Sequence, residues 1–166
     1  AGGWSGQTNG TAYFGPGGTV HNGIFYTLGG SNGSVAHTNV FKSYDTVRGW
    51  KTLANNPISQ RYCPMVGHGN YIYELAGNYI TDAWKASKYN IQTNTWSYIA
   101  DPPIQTITGN ESATVYLNFI ILAYGGKLYV YNTEEDVWNT INLGVTMEGN
   151  SGICVSLNGI LYLHLN

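Results

Sequence analysis

The sequence predicts an all-β chain built from one short supersecondary unit used repeatedly, and three observations carry that prediction. Tyr44 precedes Trp50 by six residues, Tyr89 precedes Trp96 by seven and Tyr131 precedes Trp138 by seven, with the tryptophans 46 and then 42 residues apart. An apolar, aromatic-rich stretch running into small residues stands ahead of each pair: GIFYTLGG at 23–30, YIYELAG at 71–77 and FIILAYGG at 119–126, with a fourth copy, GILYLHLN, at 159–166. No segment shows a helical period, whereas β-branched and aromatic residues recur between turn signals about every ten residues.

Each apolar strand is introduced by a turn-like pair, at Asn22-Gly23, Gly69-Asn70, Leu117-Asn118 and Asn158-Gly159, suited to tight hairpins that need positive φ. The third pair lacks glycine and is expected to turn differently. Every repeat reads as four strands; in the second they fall at 62–68, 70–77, 84–90 and 94–99, and the hairpin over YNIQTNTW brings Tyr89 to Trp96. The repeats span approximately 11–54, 62–99 and 112–142, with a partial copy at 151–166, giving fourteen strands in one domain. Ala76, in place of the first glycine of a doublet, and the FIIL strand lead us to expect distortion in the second and third units.

A doublet closing a hydrophobic strand, then a Tyr, then a Trp about seven residues on resembles the kelch repeat, and the resemblance covers residues 22–166. It implies kelch-type β-propeller blades, each four-stranded and set radially about a central channel. About three and a half blades are present, an incomplete ring unless the polypeptide continues or another chain complements it. Arrest at His164-Leu165-Asn166, where the next doublet would come, predicts such a continuation or partner. Under this resemblance Gly29-Gly30 and Gly125-Gly126 turn close to a neighbouring blade, where a Cβ would collide or φ must be positive. Trp50, Trp96, Trp138 and their tyrosines are then core pieces between blades.

Composition bounds what such blades can do. Only 10% of the residues are charged and the net charge is −2, while Tyr contributes 14 residues, Gly 22 and Trp 5. Scattered Lys and Arg give no footprint for nucleic acid or anionic lipid. The longest apolar run, near Phe119–Ala123, is far short of the roughly 20 residues a spanning helix needs. Low charge points to an extracellular or cell-surface location. Sequons at Asn9, Asn32 and Asn110 are glycosylation candidates, with chance occurrence in an Asn- and Ser-rich chain as the other reading. Ala1 is expected to follow a removed leader or upstream sequence. Cys63 and Cys154, read as lying in equivalent strands two blades apart, are expected to be free and buried, since an intrachain disulfide needs Cα atoms within about 7 Å; interchain bonding stays open.

Chemistry is sparse. His21 and His68 fall before turns, His37 lies in a polar loop and His164 in the last strand, without the spacing of a zinc site. No nucleophile elbow occurs, the Gly-rich stretches lack the Lys and helix start of a phosphate cradle, and Glu134-Glu135-Asp136 reads as a solvated turn. No catalytic residue, metal or cofactor is predicted. Two functions remain open. One is a non-enzymatic module binding a protein or glycan through loops 31–38, 78–83 and 105–112, with Asn32, His37, Asn78, Tyr79 and Asn110 as candidates. The other is a structural subunit of a filament, sheath or envelope joined through open blade edges. A minor alternative is a fragment of a copper oxidase with kelch-type blades.

Overall fold

A computed structural model describes residues 14–32, 37–79, 85–104, 112–145 and 152–165, and the strands it contains are all antiparallel-paired. The first blade runs β1 (Gly17–His21), β2 (Ile24–Leu28), β3 (Phe41–Asp45) and β4 (Gly49–Thr52), in that spatial order. The two-residue strand β5 (Gln60–Arg61) then leads into the second blade: β6 (Met65–His68), β7 (Tyr71–Glu74), β9 (Ala86–Asn90) and β10 (Thr95–Ile99). Between β7 and β9 the short strand β8 (Asn78–Tyr79) returns to pair with β5, a ribbon that the fourteen expected strands do not include. The third blade is β11 (Ser112–Tyr116), β12 (Phe119–Tyr124), β13 (Lys127–Asn132) and β14 (Val137–Asn142); β15 (Gly152–Leu157) and β16 (Ile160–Leu165) form a half blade.

First strands pack on first strands, β1 on β6, β6 on β11 and β11 on β15, so they lie innermost and the blades fan outward. The ring is not closed. One row of side chains repeats on the face each blade turns to its predecessor: Val20–Phe25–Tyr44–Trp50, Gly67–Ile72–Tyr89–Trp96 and Val115–Ile120–Tyr131–Trp138, each in register across four strands. The second row packs against Tyr26, Leu28 and Phe41 of the first blade, and the third against Tyr73, Leu75, Ala86 and Ile99 of the second. The first blade's own row faces no described blade, and Trp50 is 38% exposed there, so it is not the core piece expected.

Trp96 and Trp138 are half-buried, and each serves a polar purpose beyond packing. The Trp96 indole N–H donates to the carbonyl of Ala54 (2.8 Å), and Trp138 donates to that of Ala100 (2.7 Å). Two residues earlier, Asn94 accepts from both the Tyr89 hydroxyl and the Ala54 amide. Asp136 accepts likewise from Tyr131 and Ala100. This clamp ties the segment leaving one blade to the outer hairpin of the next and satisfies backbone groups that would otherwise be stranded at the seam. Asp136 is exposed, as Glu134 and Glu135 are, but unlike a merely solvated turn residue it also closes this clamp.

Three sequence expectations need correction. The third blade is undistorted, with unbroken register from β11 to β14. FIIL lacks alternation because β12 is covered on both faces: Ile120 and Leu122 pack toward the second blade, Ile121 and Ala123 toward the half blade. The Leu117-Asn118 turn keeps the general form of its equivalents, since the first central residue has positive φ in all four (Asn22 50°, Gly69 57°, Leu117 55°, Asn158 51°). What it shares with Gly69-Asn70 alone is that the second residue does not, unlike Gly23 and Gly159. Finally, Cys63 precedes β6, whereas Cys154 lies within β15, so the two are not equivalent; both are free and buried.

Candidate functional site

Antiparallel order gathers the starts of β1, β6, β11 and β15 and the loops leaving β2 and β7 at one end, here called the mouth, with the hairpin tips at the opposite end. The glycine doublet of the first blade works here. Gly29 and Gly30 have φ of 73° and 100°, and a Cβ on Gly29 would come within 2.3 Å of the Gln60 carbonyl. Gly30 N–H donates to that same carbonyl at 2.8 Å, while Gln60 N–H reaches Thr38. The loop after β2, the ribbon β5–β8 and the lead-in to the second blade are thereby sewn together.

That sewing decides where the predicted loop residues fall. Thr38 bridges Gln60, and Gln60 pairs with Tyr79, so the segments carrying Asn32 and His37 and those carrying Asn78 and Tyr79 share the mouth. Asn110, and with it Asn9, lies outside the described residues.

Beside this ribbon a cleft of about 460 Å³ opens between the lead-ins to the first two blades, lined by Gly15–Gly18, Tyr62–Met65 and Ala113. Its rim is aromatic and cationic. Phe14, 66% exposed, meets the Tyr62 ring edge-on at 5.7 Å, and the Arg61 guanidinium lies 5.0 Å from the centre of that ring. Tyr62 has φ of 56°, a left-handed conformation that costs a bulky side chain on the order of 1–2 kcal/mol. The strain is held by its N–H bond to Gly15 (2.7 Å) and by seating the ring where any Gly15 side chain would be. Sequence reading overlooked Phe14, Arg61 and Tyr62 because none belongs to the repeat; a clue lay in the Gly-Pro-Gly-Gly run at 15–18, where Gly15 takes positive φ (66°) and side chains on Gly15 and Gly17 would collide with Tyr62 and Cys63.

Behind the cleft the chemistry is structural. Asn56 donates to Ser87, which donates to Glu74 (2.9 and 3.0 Å), all three buried. The Cys63 thiol is pushed far above its ordinary range, first by burial and then by Glu74, and burial raises Cys154 as well; neither is a ready thiolate. Among the described residues no three His, Cys, Asp or Glu side chains come together as metal ligands. No helix among them is long and apolar enough to cross a membrane.

Comparison with known proteins bears on the blades. No family model matches the chain. Over 97 residues it is 33% identical to Kelch domain-containing protein 10 of Bos taurus and of Homo sapiens, matches covering 53% of this chain and 22% of each relative. The protein of the same name from Rattus norvegicus is 33% identical over 95 residues, covering 52% and 23%. The chain has blades of the kelch propeller type, as these likenesses support. It spans less than a quarter of the length of these kelch relatives. The solved structure of YjhT superposes with a TM-score of 0.74 at 14% identity, covering 91% of this chain and 57% of that one, a likeness of fold.

Proposed function

We propose that the chain is a non-enzymatic binding module whose mouth receives a protein partner at the cleft between the first two blades. The observation that carries this reading is the strained Tyr62 beneath Phe14 and Arg61, an arrangement that spends stability to hold an aromatic and cationic rim open to solvent. The kelch propeller fold supports a protein-binding role. The test is affinity capture with cross-linking, comparing the wild type with Phe14→Ala and Arg61→Ala and with Val47→Ser at the opposite end as control. Specific partners lost in the first two and kept in the third support the reading; capture indifferent to Phe14 and Arg61 overturns it. A glycan array run alongside identifies a carbohydrate ligand if that is what the rim takes. We place the module outside the cytoplasm, which glycosylation of Asn32, read by mass spectrometry of protein from its native source, would support.

A second reading rests on the two ends of the arc. Val20, Phe25 and Trp50 are exposed on the first blade, and Val155, Leu157, Ile160 and Tyr162 form two exposed cross-strand pairs on the half blade. A structural subunit joined through these faces would sediment as concentration-dependent polymers; a monomer of 18.1 kDa at every concentration counts against it.

A further inference from the structure

At the hairpin-tip end, away from the mouth, the joint between the first two blades holds a second recess of about 270 Å³. On the first blade's side Tyr26, Ser43 and Lys51 stand in register across β2, β3 and β4, and Asp45 and Arg48 come from the hairpin tip. The second blade contributes Tyr89, Gln92 and Asn94. Tyr26 is only 4% exposed as a whole, and its hydroxyl, which has no hydrogen-bond partner among the described residues, is not itself fully buried. Among the described residues neither Arg48 nor Lys51 forms an ion pair, although Arg48 lies close enough to help lower the Asp45 carboxyl after the Val47 and Arg48 amides, which occupy one Asp45 oxygen.

The next joint shows what is missing. Its corresponding row is Tyr73, Lys88 and Ser97, and the clamp residue opposite is Asp136. Lys88 is close enough to help hold the Asp136 carboxyl below its ordinary range, after the Ala100 amide and the Tyr131 hydroxyl. There the cation has a carboxylate across the seam. In the first joint the same position is Asn94, whose amide oxygen satisfies the clamp without supplying charge, so two cations share the recess with one carboxylate and the Tyr26 hydroxyl.

The geometry points to this recess as a binding site for a small oxyanion, a phosphate, sulfate or carboxylate group, with Arg48 and Lys51 supplying charge and Tyr26 and Ser43 donating hydrogen bonds. It is independent of the mouth and of any partner there. Sodium sulfate and sodium phosphate titrated at constant ionic strength, followed by two-dimensional amide NMR, test it. Saturable shifts confined to residues 43–51 and 89–94 are expected for one or both anions. Asn94→Asp keeps both clamp hydrogen bonds while placing a carboxylate opposite the cations, and it should weaken saturation at least tenfold. Arg48→Gln, on an exposed turn, should do the same and decides the matter if the first variant unfolds. Shifts that never saturate or scatter over the surface, or saturation unchanged in these variants, would overturn the site.

Discussion

The joint between the first and second blades and the joint between the second and third share one plan down to individual atoms, yet one is closed by a neutral amide and the other by a carboxylate. Trp to carbonyl, Tyr hydroxyl to side-chain oxygen and linker amide to that same oxygen recur within 0.1 Å, at 2.8, 2.8 and 2.9 Å in the first joint and 2.7, 2.7 and 2.8 Å in the second. The clamp thus asks only for an acceptor in the left-handed conformation, which Asn94 (φ 56°) and Asp136 (φ 55°) both supply. Charge is a separate variable laid over a fixed geometry. The free face of the first blade sharpens the point: its outer hairpin is one residue shorter, no clamp residue exists, and Trp50 has no carbonyl to meet among the described residues.

The largest effects should separate closed joints from the open face. Trp96→Ala and Trp138→Ala each remove packing and strand a linker carbonyl, and should cost about 3–5 kcal/mol in urea unfolding. Trp50→Ala, at the open face, should cost under about 1 kcal/mol. Equal losses at all three positions would mean that the first blade's face is covered in solution. Next in size, Gly29→Ala meets both an adverse φ and the Gln60 carbonyl and should cost more than about 2 kcal/mol, against about 1 kcal/mol for Gly23→Ala, where φ is 76° but nothing lies within 4 Å.

The Asn94 and Asp136 difference has a pH signature. Because the folded-state pKa of Asp136 is depressed, its contribution is complete above the ordinary carboxylate range and is lost as pH falls through the lower, folded value. Melting temperatures from pH 7 down to pH 3 should therefore converge for the wild type and Asp136→Asn at the acid end and diverge above it. Asn94→Asp should acquire a similar acid-sensitive increment if Arg48 and Lys51 act on that position as Lys88 does on Asp136; a flat difference curve would show that they do not.

Repeat, strand class and the Tyr–Trp pairing were legible in the sequence because each rests on local spacing. So was the shortfall of one residue between Tyr44 and Trp50, though not its meaning, since a clamp needs a linker from another blade and spacing within one hairpin cannot show that. Asn78 and Tyr79, read from the sequence as part of a loop, instead form β8, and their meeting with the segment around Thr38 at the mouth depends on Gln60, a residue with no motif. Phe14, Arg61 and Tyr62 escaped notice for a related reason: their arrangement comes from a backbone strain at Tyr62 that tertiary contacts impose and no propensity signals.

Leu117 offers the smallest and cleanest contrast, because its turn is matched by three others in the same chain. Asn22, Gly69 and Asn158 fill the same left-handed position with residue types that tolerate it, whereas Leu117 places a γ-branched, 69% exposed side chain there and gains no burial in return. Leu117→Asn should raise stability by about 0.5–1 kcal/mol, and Leu117→Gly somewhat less, since glycine also loosens the unfolded chain. The reverse change, Asn22→Leu, should cost a similar amount with no change in the mouth or the recess. If Leu117→Asn instead destabilises the chain, the exposed leucine is doing something in solution that its strain sustains, and the hairpin-tip end of the third blade would join the open faces as a surface that a partner covers.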